Sequence, residues 1–182
     1  MPRPGRLFPG DGQDRYRGRV SHIDLRALAD DDLDAVFEMM RDPESVAAAA
    51  FTAADPDDRG AFDAWAGRQR SNPDVNYFVV TEQGGFAGTI AAFTIDGDRE
   101  VSYWIARHAT GRGVATEALR LLVSREAERP LFARVAAHNT RSIAVLERNG
   151  FTEVSRDVDF APGLGRDTEE IVYALLPTLD GV

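Results

Sequence analysis

The residues best suited to chemistry lie between Val101 and Ala118, where a strand ends, a glycine-containing loop follows and a long helix begins. The loop carries Gly111, Arg112 and Gly113. The first N–H groups of a helix lack intrahelical acceptors, the helix dipole favours negative charge, and glycines let a phosphate approach the backbone. Arg112 would add a guanidinium. The segment therefore predicts an anion site, although ordinary helix capping explains the same loop equally well.

Two nucleotide-binding folds use a similar loop, and the residues argue against both. A P-loop requires a lysine, whereas all 21 basic residues of this chain are arginines. A dinucleotide fingerprint needs Gly or Ala where Thr116 stands, and an acidic residue about 20 positions later, where Arg134 stands. The strands before the loop also look like hairpins, so a dinucleotide-binding oxidoreductase is a weak alternative.

Composition excludes further classes of chemistry. The chain has no lysine amine for a Schiff base, and no cysteine for a thiol nucleophile or a zinc site. Its three histidines match no common metal spacing, so we expect no metal. The net charge of −9 argues against a nucleic-acid partner. No apolar run approaches the ~20 residues of a membrane span, so we expect no membrane partner and a cytoplasmic location.

The hydrophobic periodicity predicts a single α+β domain over residues 19–177, with tails at 1–18 and 178–182. The strands cluster in a meander, which distinguishes the pattern from a regular β-α alternation. Strands are predicted at 19–28, 76–81, 86–95, 100–106, 131–136, 151–160 and 169–176, and helices at 33–40, within 44–71, at 114–128 and at 139–149.

One helical stripe has two interpretations. Phe62, Trp65 and Ala66 fall on one face of the segment from Asp57 to Gln69. Core packing is the simpler interpretation, and the wall of a binding site for a second substrate is the other.

Two segments resemble a known family. The first runs through Tyr103–Ala106 and Gly111–Leu119, and the second is Asn139–Phe151, which contains Asn-x-x-Ser, a helix and Gly-Phe. Together they resemble the acyl-CoA signatures of GNAT-superfamily N-acetyltransferases, and most closely the branch that acetylates N-terminal amines of ribosomal proteins. The resemblance spans roughly residues 20–177. It implies a mixed, mainly antiparallel central sheet flanked by helices.

The resemblance implies acetyl-CoA as cosubstrate. It implies that the end of the strand at Ile105 and Ala106 pairs with the pantetheine arm, and that Asn139 contacts the cofactor. Thr110 stands where the superfamily has Gln or Arg, which removes one side-chain contact and leaves the backbone cradle. Backbone amides are implied to hold the pyrophosphate at Gly111, Arg112, Gly113, Val114, Ala115 and Thr116.

The implied reaction is direct attack of a neutral amine on the thioester, with a base and an acid. Many relatives use a tyrosine acid where Leu146 stands, so the candidate acid is Ser142, whose alternative role is helix capping. The candidate bases are Asp159 and, less favoured, Glu100, which stands one residue out of step with the position in other relatives. Either carboxylate is alternatively a solvated surface group, and a base can act through water.

The leading hypothesis is therefore an N-acetyltransferase whose acceptor is a primary amine, on a protein N-terminus or a small molecule. A CoA-binding sensor without turnover is the alternative. The resemblance places the acceptor near residues 43–72 and 160–168, and allows a homodimer. Five aspartates there are compatible with a cationic acceptor or with a solvated acidic face: Asp55, Asp57, Asp58, Asp63 and Asp167.

Overall fold

The computed structural model describes residues 22–177, so the tails predicted at 1–18 and 178–182 lie outside the described residues and the domain boundaries stay predictions. In chain order the elements are β1 (Ile23–Ala27), a 3-10 turn (Asp30–Asp32), α1 (Leu33–Met40), α2 (Pro43–Ala49), α3 (Arg59–Ser71), β2 (Asn76–Glu82), β3 (Gly85–Ile95), β4 (Asp98–Ile105), a 3-10 turn (Arg107–Ala109), α4 (Val114–Arg125), β5 (Leu131–Ala136), α5 (Thr140–Arg148), β6 (Thr152–Ala161) and β7 (Arg166–Leu175).

The strands form one 7-stranded sheet in the order β1-β2-β3-β4-β5-β7-β6. All neighbours are antiparallel except β4 and β5, which confirms the predicted mixed, mainly antiparallel α+β fold. The parallel pairing of β4 and β5 holds only at Arg99–Leu131 and Glu100–Phe132. Residues 101–105 of β4 therefore have no strand partner on that side.

The two faces of the sheet are covered by different helices. Apolar side chains of α4 and α5 pack with Val101, Tyr103 and Ile105 on one face. Trp104 points to the other face and packs with α1 and α3. Since side chains alternate along a strand, Glu100 and Ser102 share the face of Trp104.

The predicted helical region at 44–71 is two helices, not one. Asp42 accepts a hydrogen bond from the Ser45 N–H at the start of α2, and Asp58 accepts one from the Ala61 N–H at the start of α3. Ala50 ends α2 with a positive φ of 59°. Two N-caps 16 residues apart in the sequence favour two short helices, and residues 50–58 connect them.

Helix α4 ends at Arg125, three residues before the predicted end at Glu128. The helix ends early because of a contact with a residue that is distant in the sequence. Glu126 leaves the helix in an extended conformation, and its carboxylate accepts hydrogen bonds from Arg99 at 3.0 and 3.2 Å. Arg99 also donates to the Asp74 carbonyl at 2.6 Å. The Arg99–Glu126 pair is buried and ties the end of α4 to the start of β4.

Removing one partner of this pair should destabilise the fold, because it leaves an uncompensated buried charge. We expect Glu126→Ala to lower the free energy of unfolding by about 3 kcal/mol or more, measured by urea denaturation. The control is Glu117→Ala, whose carboxylate pairs with Arg120 on the surface of α4 and should matter little. Equal losses in the two variants would show that the buried pair has no special weight.

Candidate active site

A groove of about 580 Å³ opens where β4 is left without a neighbour. Its walls come from the end of β4, the start of α4, the start of α5 and the helix α2. The parting of β4 from β5 creates the opening, because no strand fills the space beyond Glu100 and Phe132. The groove therefore brings both predicted motif segments to one place.

The glycine loop forms one end of the groove. Gly113 is the N-cap of α4 and adopts a left-handed conformation with φ of 82°, which favours glycine. A Cβ at Gly111 or Gly113 would meet no heavy atom within 4 Å, so both glycines face open space. Among the described residues, the N–H groups from Gly111 to Thr116 make no hydrogen bond of good geometry to a backbone carbonyl. These amides at a helix N-terminus fit the phosphates of CoA.

The Arg112 side chain does not line this groove. Its guanidinium forms an ion pair with Glu82 at the end of β2, whose carboxylate is nearly buried. The predicted guanidinium–phosphate contact is therefore absent from this conformation. The backbone N–H of Arg112 remains part of the loop described above.

The two residues predicted to pair with the pantetheine arm, Ile105 and Ala106, differ in their positions at the end of β4. Ile105 lines the groove and Ala106 does not. The Ala106 N–H donates to the Ala87 carbonyl at 2.9 Å, so this residue is committed to β3. Because backbone groups alternate in direction along an antiparallel strand, those of Ile105 and Tyr103 point away from β3, toward the gap. The edge available to an extended ligand is therefore at Tyr103 and Ile105.

Asn139 lines the groove and caps α5. Its Oδ1 accepts from the Ser142 N–H at 3.1 Å, and its Nδ2 donates to the Ala48 carbonyl at 3.1 Å. The neighbouring His138 contacts the Ala47 carbonyl at 2.8 Å through Nε2. Asn139 and His138 thus fasten the end of α2 to the start of α5, and hold the two walls of the groove together.

Ser142 lies in the groove beside a residue that the sequence did not single out for chemistry. The Tyr103 hydroxyl is 2.7 Å from Ser142 Oγ and 3.1 Å from the Ser142 carbonyl. Burial raises the pKa of Tyr103 to about 12, against the opposing effect of the bond to Ser142, so the phenol stays protonated. Tyr103 and Ile105 are two residues apart on a strand and so share one face. This spacing was the sequence signal that could have identified Tyr103. Leu146 is buried in the core.

The candidate bases lie outside the groove, on the sheet face of Trp104. Glu100 is buried and accepts from Arg134 Nε at 2.9 Å. Arg134 Nη1 also lies 3.6 Å from Oε2 of Glu170, a carboxylate that lies outside both motif segments. Burial raises the pKa of Glu170, and charge repulsion from Glu100 and Asp159 adds to the effect, against the opposing pull of Arg134. Asp159 itself is exposed and accepts from the Phe160 N–H. Glu100 thus belongs to a charged cluster with Arg134 and Glu170, and Asp159 is close enough to raise the pKa of Glu170.

Arginines at the groove suit an anionic ligand. Arg107, Arg141 and Arg148 line it, and Glu44 of α2 pairs with the first two. Within residues 22–177, no group of three or more His, Asp or Glu side chains could hold a metal ion. Over the same range, no helix has the length and apolarity needed to cross a membrane.

The sequence is similar to a known protein family and to a curated protein. Residues 22–152 match the family model described as acetyltransferase (GNAT) domain. The chain is 34% identical over 102 residues to "Putative ribosomal N-acetyltransferase YdaF" of Bacillus subtilis (strain 168), over 51% of this chain and 55% of that protein. The chain therefore spans about half the length of the curated relative that it matches.

Solved structures support the fold. A spermidine N-acetyltransferase from Vibrio cholerae, solved with CoA and spermine, superposes with a TM-score of 0.74 at 20% identity, covering 85% of this chain and 95% of that one. RimL, a ribosomal L7/L12 α-N-protein acetyltransferase solved with CoA, gives 0.67 at 19% identity, covering 88% and 97%.

Filling the loop should remove ligand binding at the groove. We expect Gly113→Arg to abolish CoA binding in isothermal titration, because its side chain enters the open space in front of the unpaired amides. Gly97→Arg is the matched control: Gly97 lies in the β3–β4 turn, also has a positive φ, and also faces open space. It imposes a similar backbone strain away from the groove. Unchanged affinity in Gly113→Arg would place the CoA site elsewhere.

Proposed function

The chain belongs to the acetyltransferase (GNAT) family, and on that premise we propose that it is an N-acetyltransferase that moves the acetyl group of acetyl-CoA to a primary amine. The observation that carries this proposal is the row of unpaired amides from Gly111 to Thr116, which opens onto a groove beside the uncovered edge of β4. An anion cradle at one end of an open strand edge suits a ligand that has phosphates at one end and an extended amide-bearing arm at the other.

Acetyl-CoA would bind along this groove. The amides of Gly111, Arg112, Gly113, Val114, Ala115 and Thr116 would hold its pyrophosphate, aided by the positive end of the α4 dipole. The backbone groups of Tyr103 and Ile105 would pair with the pantetheine arm. Asn139 would support the same site by holding α5 against α2, and by contacting the cosubstrate from the groove wall.

The reaction needs no nucleophile from the enzyme. The nitrogen of a neutral amine attacks the thioester carbonyl, the C–N bond forms, and the C–S bond breaks to release the thiolate of CoA. We assign Ser142 as the group that gives this thiolate its proton, and Tyr103 as the group that holds the serine hydroxyl at 2.7 Å and shares a proton with it. The high pKa of Tyr103 keeps that proton available across the neutral range.

The proton lost by the amine would pass to the carboxylate cluster through water. Glu100 lies at the point where β4 and β5 part, and Glu170 and Asp159 lie near it. Glu170 suits the role of proton acceptor because its pKa is raised toward neutral pH, which makes it a stronger base than an ordinary carboxylate. In this scheme Glu100 and Asp159 raise that affinity by charge repulsion, and Arg134 limits it.

The acceptor amine is cationic before it loses its proton, and the net charge of −9 would attract it. The similarity to YdaF is compatible with a protein N-terminus as the acceptor, and a small-molecule amine is the other source. Asp57 and Asp63 are already paired with Arg41 and Arg59, so they contribute little free negative charge. A cytoplasmic location stays a prediction.

We further propose that the protein forms a homodimer through β6. This edge strand exposes large apolar side chains, at 50% for Val154, 62% for Val158 and 54% for Phe160. An exposed edge strand with apolar side chains is a template for pairing with another chain.

The acid assignment predicts a loss in turnover without a loss in binding. Ser142→Ala should lower kcat by about 10²-fold, the lower end of the range for general acid–base catalysis, while the Kd for CoA stays unchanged. Tyr103→Phe should give a smaller loss. The control is Ser124→Ala, whose hydroxyl bonds to the Leu121 carbonyl on α4. Thiol release from acetyl-CoA with a panel of amines measures all three, and its absence from the unaltered protein that still binds CoA would favour a sensor.

The dimer is tested by light scattering after size-exclusion chromatography. We expect the mass of two chains for the unaltered protein, and of one for Val158→Asp, because a charge in the apolar contact would be left unpaired on association. Ile95→Asp, which puts the same charge on an exposed apolar residue of the inner strand β3, serves as the control. A monomer at all concentrations would refute the dimer and leave the enzymatic proposal intact.

A further inference from the structure

A second cavity, of about 710 Å³, lies on the sheet face that α1 and α3 cover. It differs from the groove beside β4 in character, since seven aromatic side chains line it. Helix α3 contributes the stripe that the sequence left open between core packing and a substrate wall. The aromatic lining residues are Phe37, Phe51, Phe62, Trp65, Tyr77, Phe93 and Trp104.

The groove and the aromatic cavity have one lining residue in common. Trp104 lines both the groove and the aromatic cavity. The connection after α2 continues the wall, because α2 lines the groove and the segment from Phe51 to Asp58 lines the cavity. A molecule seated in the cavity would therefore lie against a residue that also borders the groove.

The charged cluster also adjoins this cavity. Phe93 in the cavity wall is the cross-strand partner of Glu100 in the β3–β4 ladder. Directly opposed residues in an antiparallel pair have Cβ atoms within about 5 Å of each other on one face. A group seated against Phe93 would thus come close to Glu100, whereas Trp104 lies four residues further along β4, about 13 Å away.

The charges around the cavity do not suit a polyamine. Asp55 and Asp58 lie in its wall, and Arg68 also lines it, so two carboxylates stand against one guanidinium. A chain of several ammonium groups would need several carboxylates, and the wall instead offers aromatic rings.

We propose that this cavity selects the acceptor, and that the acceptor is a primary amine attached to an aromatic or branched apolar group. This inference rests on the proposed function, because it names the acceptor of the same site. Burial of the apolar group in the cavity would anchor the molecule, and the amine would reach the groove beside Trp104. The same chemistry occurs in a free arylalkylamine and in a peptide whose first residue is aromatic.

The protein carries its own reporter for this cavity. Its two tryptophans, Trp65 and Trp104, both line the cavity, so intrinsic fluorescence responds directly to a ligand that enters it. We would titrate the CoA-bound protein with 2-phenylethylamine, ethylamine, spermidine and the peptide Phe-Ala-Ala. We expect 2-phenylethylamine to bind about 10- to 100-fold more tightly than ethylamine, the gain associated with burying a large apolar side chain. Spermidine should show no such gain.

Two substitutions in the cavity wall test whether the amine binds there, and a third substitution, on the opposite face of the sheet, is the control. Ala91→Leu would fill the cavity from β3, and Phe93→Ala would remove one ring from its wall. Each should weaken the binding of 2-phenylethylamine at least 10-fold and leave the affinity for CoA unchanged. Phe78→Ala removes a ring from the opposite face of the sheet and should leave the preference intact. Circular dichroism verifies that each variant folds.

The outcomes separate this inference from the enzymatic proposal. Tight, cavity-dependent binding of 2-phenylethylamine without thiol release would support the inference and contradict the proposed function. Thiol release at equal kcat/KM with ethylamine, spermidine and 2-phenylethylamine would support the proposed function and contradict the inference. Absence of fluorescence change with all four probes, or an unchanged affinity in Ala91→Leu and Phe93→Ala, would overturn the inference. A higher kcat/KM for Phe-Ala-Ala than for 2-phenylethylamine would identify a peptide as the source.

Discussion

The structure depends on the parting of β4 and β5. These parallel strands pair only at their first residues, and from Val101 to Ile105 the edge of β4 has no neighbour. Unpaired backbone groups are costly when buried, so such an edge inside a sheet needs a ligand, water or a covering element. Here the gap becomes a groove, and the N-terminus of α4 provides unpaired amides at its end. One interruption in strand pairing therefore creates both the opening and the edge that a cosubstrate would need.

The same interruption lies between two cavities, one on each face of the sheet. The groove beside β4 takes residues from the α4–α5 side and from α2, and the aromatic cavity lies on the α1–α3 side. Trp104 is common to both. The tether of Asn139 and His138 to α2 holds the groove walls together, and the Glu100–Arg134–Glu170 cluster lies next to the parting point. A two-substrate reaction would thus be divided between the faces of one sheet.

Elements with strong local patterns could be predicted from the sequence. β5 has the predicted bounds, 131–136, and β4 and α5 differ by only one or two residues, because alternating apolar residues and capping residues act locally. The end of α4 could not be predicted, since Glu126 leaves the helix for a distant partner, Arg99. The contact between Tyr103 and Ser142 joins residues 39 positions apart, and no local pattern encodes it.

By itself the sequence limited the chemistry that the side chains of this protein can perform. Without lysine or cysteine it excludes enzyme amines and thiols, and its two motifs set a glycine loop before a helix and an Asn-x-x-Ser segment after it. The tertiary structure alone decided which side chains meet. It turned Arg112 toward Glu82, placed Tyr103 beside Ser142, gathered Glu100, Asp159 and Glu170, and made a cavity of the aromatic stripe on α3. Backbone conformation follows from neighbours along the chain, whereas these contacts depend on packing between elements that are distant in it.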